Sequence, residues 1–180
     1  MPDYKHTMNL PAGYKKVPVK TWYLTFGNKL PEVKLTDSSI IVERWENPSV
    51  DEYLEIYKAV GSVWGWTGRL LKTPNELAEI LKSVNNEVWL FRVENEVAGF
   101  FELVRAEDET ELVYLGLKPN WIGKGLGQKL ILSAVSVAGQ NEHKVWLHTC
   151  ERDHPSALQA YLKAGFKIEK EIISTEYYPE

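Results

Sequence analysis

One short segment limits the architecture more than any other. Leu115-Gly116-Leu117-Lys118-Pro119-Asn120-Trp121-Ile122-Gly123-Lys124-Gly125-Leu126-Gly127-Gln128-Lys129-Leu130 runs from an apolar strand through a proline and three alternating glycines into a helix. A turn of this kind, opening directly into a helix, aims several backbone N–H groups in one direction. It also sets the positive end of the helix dipole behind them. The chemistry that fits is an anion, and a pyrophosphate above all. Two familiar phosphate turns are excluded by spacing. The dinucleotide fingerprint needs Gly-x-Gly-x-x-Gly, whereas here the glycines alternate. The P-loop ends in Gly-Lys-Ser/Thr, whereas Gly127 is followed by Gln128 and Lys129, with no hydroxyl for magnesium. The alternative is a turn that is glycine-rich for its geometry alone.

A second constellation lies about 30 residues on. His154-Pro155-Ser156-Ala157-Leu158-Gln159-Ala160-Tyr161-Leu162-Lys163-Ala164-Gly165-Phe166 reads as one short helix. Pro155 suits the first helical position, Asp153 or His154 the cap, and Gly165 the C-terminal stop. Together the two segments resemble the GNAT N-acetyltransferases. Gly125 and Gly127 match the small positions of that family's Gln/Arg-x-x-Gly-x-Gly/Ala turn, with Ile122 where the family has Gln or Arg. The later segment resembles its Asn-x-x-Ala-x-x-x-Tyr-x-x-x-Gly-Phe stretch, with His154 in place of Asn. The resemblance covers roughly residues 39–175 and implies an α/β fold: a mixed, mostly antiparallel twisted sheet, helices on both faces, and a central strand pair that splays apart. It implies acetyl-CoA as co-substrate, no metal, and direct transfer of an acetyl group to a primary amine. The alternatives are a non-catalytic CoA-binding module and a transferase of another acyl-CoA.

The resemblance also assigns residues. Leu115, Gly116, Leu117, Ile122, Gly123, Lys124, Gly125, Leu126 and Gly127 would hold the CoA, with His154, Ala157 and Tyr161 from the second segment. Tyr161 would be the general acid for the leaving thiolate; otherwise it is a packed core tyrosine. Glu111 is the first candidate for the base. Strand alternation would put it on one face with Val113, Leu115 and Leu117, and a carboxylate on an otherwise apolar face is a candidate for a raised pKa; otherwise it is a solvated strand end. Glu102, within the apolar run Ala98–Val104, is the second, or else a buried ion pair. Trp64, Trp66 and Arg69 would wall the acceptor site, by cation–π contact and by binding a carboxylate; otherwise the tryptophans close the core and Arg69 lies on the surface. His148, Glu151, Asp153 and His154 cluster without helical metal-ligand spacing. Cys150 reads as a small buried residue rather than a nucleophile.

Composition sets the class. The chain has 180 residues, 44% apolar and 12% aromatic, enough for one folded domain with a sizeable core. A net charge of −4 without a basic stripe argues against nucleic acid or anionic membrane as partner. One cysteine allows no internal disulfide and favours a reducing, cytoplasmic setting. The expected partner is a small-molecule or peptide amine, with a homodimer left open. Residues 1–38 read as an N-terminal extension, loosely ordered over 1–15 and turn-rich over 27–38, with an added strand at Val17–Phe26. Residues 39–180 read as the acyltransferase domain, in the order β-α-α-β-β-β-α-β-α-β(-β). Its elements are strands at 39–45, 87–93, 97–105, 111–117 and 144–150, two short strands ending at Tyr178, and helices at 51–60, from Thr73-Pro74, at 125–139 and up to Gly165.

Overall fold

The computed structural model describes residues 12–27, 38–140 and 144–180. The expectations for residues 1–11 and 28–37 lie outside the described residues. Among the described residues seven strands form one sheet: β1 (Tyr14–Phe26), β2 (Ile40–Arg44), β3 (Asn86–Val93), β4 (Glu96–Arg105), β5 (Glu109–Leu117), β6 (Lys144–Cys150) and β7 (Phe166–Pro179). Their spatial order is β2-β3-β4-β5-β6-β1-β7, and all pairs are antiparallel except β5 with β6. The helices are α1 (Val50–Gly61), α2 (Pro74–Lys82), α3 (Leu126–Ala138) and α4 (Ala157–Ala164).

Side-chain alternation sorts the helices onto two faces. Tyr53, Ile56, Tyr57 and Val60 of α1 and Leu77 and Leu81 of α2 pack with Val88, Leu90 and Phe100. On the opposite face Leu130, Ile131, Ala134 and Val135 of α3 pack with Phe91, Phe101, Leu103 and Leu147, and α4 lies against the same cluster. Capping fixes where α1 and α2 begin. Ser49 with Glu52, and Thr73 with Glu76, each form a reciprocal capping box, and Pro74 takes the first turn of α2 as its sequence predicts.

The strand from the N-terminal region is an interior member of the sheet. Its second half, Thr21 to Thr25, pairs with β6, while the whole of β1 pairs with β7. Val19 and Leu24 are fully buried. Before Thr21, among the described residues, no strand pairs with the β6 side of β1, and Glu151 bonds the Lys20 backbone there in both directions. Pro18, two residues earlier, faces that same unpaired side, so its missing N–H costs no ladder bond.

Three expectations need correction. The helix predicted from His154 starts at Ala157. Asp153 cannot cap it, because its carboxylate already accepts from Thr149, the Cys150 N–H and Trp66. His154 Nδ1 instead accepts from the Ser156 N–H at 3.1 Å, and this folds 154–156, Pro155 included, into a turn. Gly165 ends the helix in a left-handed conformation, as its place in the sequence predicts. The two short C-terminal strands are one strand of 14 residues, its register shifted opposite Tyr23 and Leu24.

The third correction concerns β5. Its pairing with β4 steps from Glu102↔Tyr114 to Leu103↔Leu112, leaving Val113 as an extra residue. A bulge of this kind reverses the alternation beyond it. Leu112, Leu115 and Leu117 therefore share the α3 face, and Tyr114 packs with α1 and α2. Glu111 is consequently not on the face of Leu115 and Leu117.

Candidate functional site

The bulge sits where the sheet opens. β5 and β6 pair only from Glu109↔Lys144 to Glu111↔Trp146. Beyond that point the two strands part, as the predicted splay requires. The gap widens into a cavity of about 390 Å³. Leu112 to Leu117 of β5 line it along the side that β6 leaves unpaired.

One end of the cavity reaches the glycine turn. Gly123 and Gly125 have φ of +82° and +75°, in the left-handed region that a side chain strains. A Cβ at Gly123, Gly125 or Gly127 would meet nothing within 4 Å, so the space in front of the turn is open. Gly125 is the N-cap of α3 and no side chain caps the helix. The N–H groups of Leu126, Gly127 and Gln128 have no intrahelical acceptor. They and the dipole of a 13-residue helix favour an anion in that open space. Ile122, Gly123 and Gly127 line the cavity, whereas Lys124, Gly125 and Leu126 stand outside its lining. The Lys124 ammonium lies over the Trp121 ring at 4.4 Å. Gln128 ties α3 to α4 through a 2.8 Å bond to the Ala160 carbonyl.

α4 supplies the adjoining wall with Ala157, Ala160 and Tyr161. The Tyr161 ring packs edge-on against Phe166, centroids 5.7 Å apart. Burial, with a smaller contribution from Asp153, pushes its hydroxyl pKa upward, so the phenol keeps its proton at neutral pH. His154 packs against Trp64, ring centroids 4.9 Å apart, and both line the cavity.

The other end opens on the α1 face of the sheet. Trp64 and Trp66 come from the connection between α1 and α2, Tyr57 from α1, and Glu176 and Tyr178 from β7. Trp66 Nε1 donates to Asp153 at 3.2 Å, and its ring is 5.2 Å from that of Tyr114. Thr67 Oγ1 donates to the Tyr177 carbonyl at 2.6 Å, tying β7 across to this connection. Glu176 is half-buried; desolvation raises its pKa, and its bond from Ser174 is 3.3 Å long.

Glu102 and Arg69 meet each other rather than the cavity. Glu102 is fully buried and accepts 2.5 Å bonds from Arg69 Nη2 and Tyr53 Oη. The Arg69 guanidinium also lies over the Tyr114 ring, 5.2 Å from its centre. Neither residue lines the cavity. Glu111 stands at the fork, with Oε1 3.4 Å from His148 Nδ1, and it is His148 that lines the cavity. Cys150 also lines it; burial first, then Asp153, pushes its thiol up to about 11, so it stays protonated at neutral pH.

The cluster His148, Glu151, Asp153 and His154 does not converge. Glu151 turns to Lys20, Asp153 to Trp66 and Thr149, and His154 to Ser156. Among the described residues no three His, Cys, Asp or Glu side chains are arranged to hold a metal, and no helix is long and apolar enough to cross a membrane. Sequence reading missed Glu176 and Tyr178 as cavity residues. They lie beyond both motif segments, on the strand that pairs with β1.

Residues 50–166 match the profile of the Acetyltransferase (GNAT) family. The chain is 29% identical over 133 residues to a spermidine N(1)-acetyltransferase of Thermoplasma acidophilum, covering 71% of this chain and 78% of the relative. Among solved structures, a putative GNAT acetyltransferase from Novosphingobium aromaticivorans superposes with a TM-score of 0.65 at 16% identity, over 96% of this chain and 70% of that one. An aminoglycoside acetyltransferase from an uncultured soil metagenomic sample, in complex with sisomicin, gives 0.62 at 16% identity, over 80% and 99%. The PaiA N-acetyltransferase of T. acidophilum, in complex with coenzyme A, gives 0.56 at 19% identity, over 79% and 99%.

Proposed function

Since the chain belongs to the GNAT acetyltransferase family, we propose that it moves an acetyl group from acetyl-CoA to a primary amine, by direct transfer with both substrates bound. The observation that carries this reading is the continuous cavity between β5 and β6, which joins an open, uncapped helix N-terminus to a wall of aromatic rings and acids. Bound acetyl-CoA would supply the activated thioester. The N–H groups around Gly123–Gly127 would take its pyrophosphate, the backbone of Leu115–Leu117 on the side that β6 leaves unpaired its extended arm, and Ile122, His154 and Ala157 the sides of the channel.

Tyr161 is the proton donor for the leaving sulfur, since it lines the cavity and its hydroxyl stays protonated. The proton of the acceptor ammonium passes to the Glu111–His148 pair at the fork. Glu102, locked to Arg69 and Tyr53, takes no part in that transfer, and Arg69 holds no acceptor carboxylate. Trp64 and Trp66, with Tyr57 and Tyr178, form the acceptor wall, where rings and the Glu176 carboxylate suit a cationic amine. The protonated Cys150 thiol favours direct transfer over a covalent relay. Residues 39–180 carry this machinery and β1 supplies its frame. The lone cysteine suits the cytoplasm.

The test is thiol release from acetyl-CoA across an amine panel that includes spermidine, an aminoglycoside and a lysine peptide. Release with at least one amine supports the reading. Tight acetyl-CoA binding with no release would make the protein a CoA-binding module. Faster turnover with another acyl-CoA would reassign the donor.

A further inference from the structure

Glu111 stands at the fork of β5 and β6, yet it is not the group that faces the cavity. That place is taken by His148, two residues beyond the last β5–β6 pair on β6. Its Nδ1 lies 3.4 Å from Glu111 Oε1. Its ring leans on Tyr23 at 5.7 Å and 31°, which fixes its plane. Among the described residues Nε2 has no hydrogen-bond partner, and the side chain is 41% exposed. One nitrogen therefore faces a carboxylate, which leaves the other for the cavity that His148 lines.

We propose that His148 Nε2 is the group that takes the proton from the acceptor ammonium, and that Glu111 is a positioning residue holding Nδ1–H. This rests on the amine-acceptor reading of the same cavity. The N–H bond of the ammonium breaks, its electron pair stays on the amine nitrogen, and the proton forms a new bond to Nε2. The imidazolium charge is balanced by Glu111, and the proton leaves to solvent along the exposed edge of the ring. The amine, now with a free electron pair, is the nucleophile.

The charged and titratable groups around the ring favour this assignment. Glu111 faces it from β5, Glu176 from β7, and Asp153 from the turn after β6. Tyr23 faces it from β1, and the Lys170 ammonium of β7 lies 4.3 Å from the centre of that tyrosine ring. Desolvation opposes the imidazolium, but Glu111, with Glu176 and Asp153 behind it, outweighs that and raises the His148 pKa. A more basic imidazole draws the proton more strongly. Glu111, whose oxygen points to the imidazole, fixes the tautomer with Nε2 unprotonated.

The experiment follows thiol release from acetyl-CoA with spermidine and the amine panel between about pH 5.5 and 9.5, in wild type, H148Q and E111Q. Wild-type kcat/KM should fall on the acidic side. H148Q should lose that limb and drop by on the order of a hundred- to ten-thousand-fold. E111Q should keep the limb but move it to lower pH, because the charge that raises the imidazole is gone. Nitrogen NMR of the imidazole, which needs no turnover, should show Nδ1 protonated in the neutral ring and the titration displaced downward in E111Q. The proposal is overturned if H148Q overlays wild type, if E111Q alone removes the limb, or if the E111Q titration does not move. No release by wild type with any amine would instead overturn the transfer reading itself, and any base role with it.

Discussion

Replacing Arg69 by methionine keeps most of the apolar stem and removes the charge, and this isolates one buried interaction. Glu102 has no exposed surface and accepts from two donors, Arg69 Nη2 and Tyr53 Oη, each at 2.5 Å. In R69M the carboxylate keeps only the tyrosine. Removing one member of a buried ion pair costs about 3–5 kcal/mol, because the other charge is left without compensation in a dry site. At about 2–4 °C per kcal/mol for a chain of this size, Tm should fall by roughly 6–20 °C. Urea unfolding gives the free energy directly, through a lower midpoint at constant slope. The double variant R69M/E102L should recover most of the loss, since an apolar replacement of a buried pair is often neutral. A loss below about 1 kcal/mol in R69M, or no recovery in the double variant, would refute the reasoning. If R69M instead raised KM only for amines bearing a carboxylate, at unchanged stability, Arg69 would belong to the acceptor site.

Three further outcomes test the site. G125E places a charged side chain in the open space before α3 and strains a φ of +75°, so acetyl-CoA affinity by calorimetry should fall sharply; an unchanged Kd would remove the pyrophosphate seat. Y161F deletes one hydroxyl and should lower kcat by on the order of ten- to a thousand-fold with normal folding; an unchanged kcat, with chemistry shown to limit turnover, would exclude it as the acid. Cys150, pushed from 9.0 up to about 11, should alkylate at pH 8 roughly a hundredfold more slowly than an ordinary thiol, on thiolate fraction alone; alkylation at the ordinary rate would show that the thiol is not held protonated.

Local chemistry is what the sequence makes readable. Thr73-Pro74-Asn75-Glu76 carries a cap, a pre-set φ and a returning carboxylate within four residues, and α2 starts where it says. Gly123, Gly125 and Gly127 mark the turn, since two of them take a conformation that side chains resist. The bulge at Val113 is different, because it is a property of β4 and β5 together, and neither strand signals it alone. It sets Glu111 on the other face of the sheet and so toward His148. Glu176 and Tyr178 carry no local signal either; they reach the cavity through pairings with β1 more than 150 residues away in sequence. The start of α4 is hidden for a related reason: Asp153 is claimed by Thr149 and Trp66, partners that no helical pattern contains.

The interior place of β1 has a consequence for how the molecule comes to be made. Its partner on one side, β6, begins at Lys144, and its partner on the other, β7, runs to Pro179. During synthesis, then, a strand with Val19 and Leu24 destined for full burial emerges long before anything can pair with it. Pairing over such distances closes large loops and slows folding, and an unpaired apolar strand is exposed to association in the meantime. Glu176 and Tyr178 belong to the strand that comes last in the chain, so the side of the cavity they line needs both ends of the sequence. A nascent chain that ended before β7 would carry the glycine turn and Tyr161 but not the side of the cavity that Glu176 and Tyr178 line.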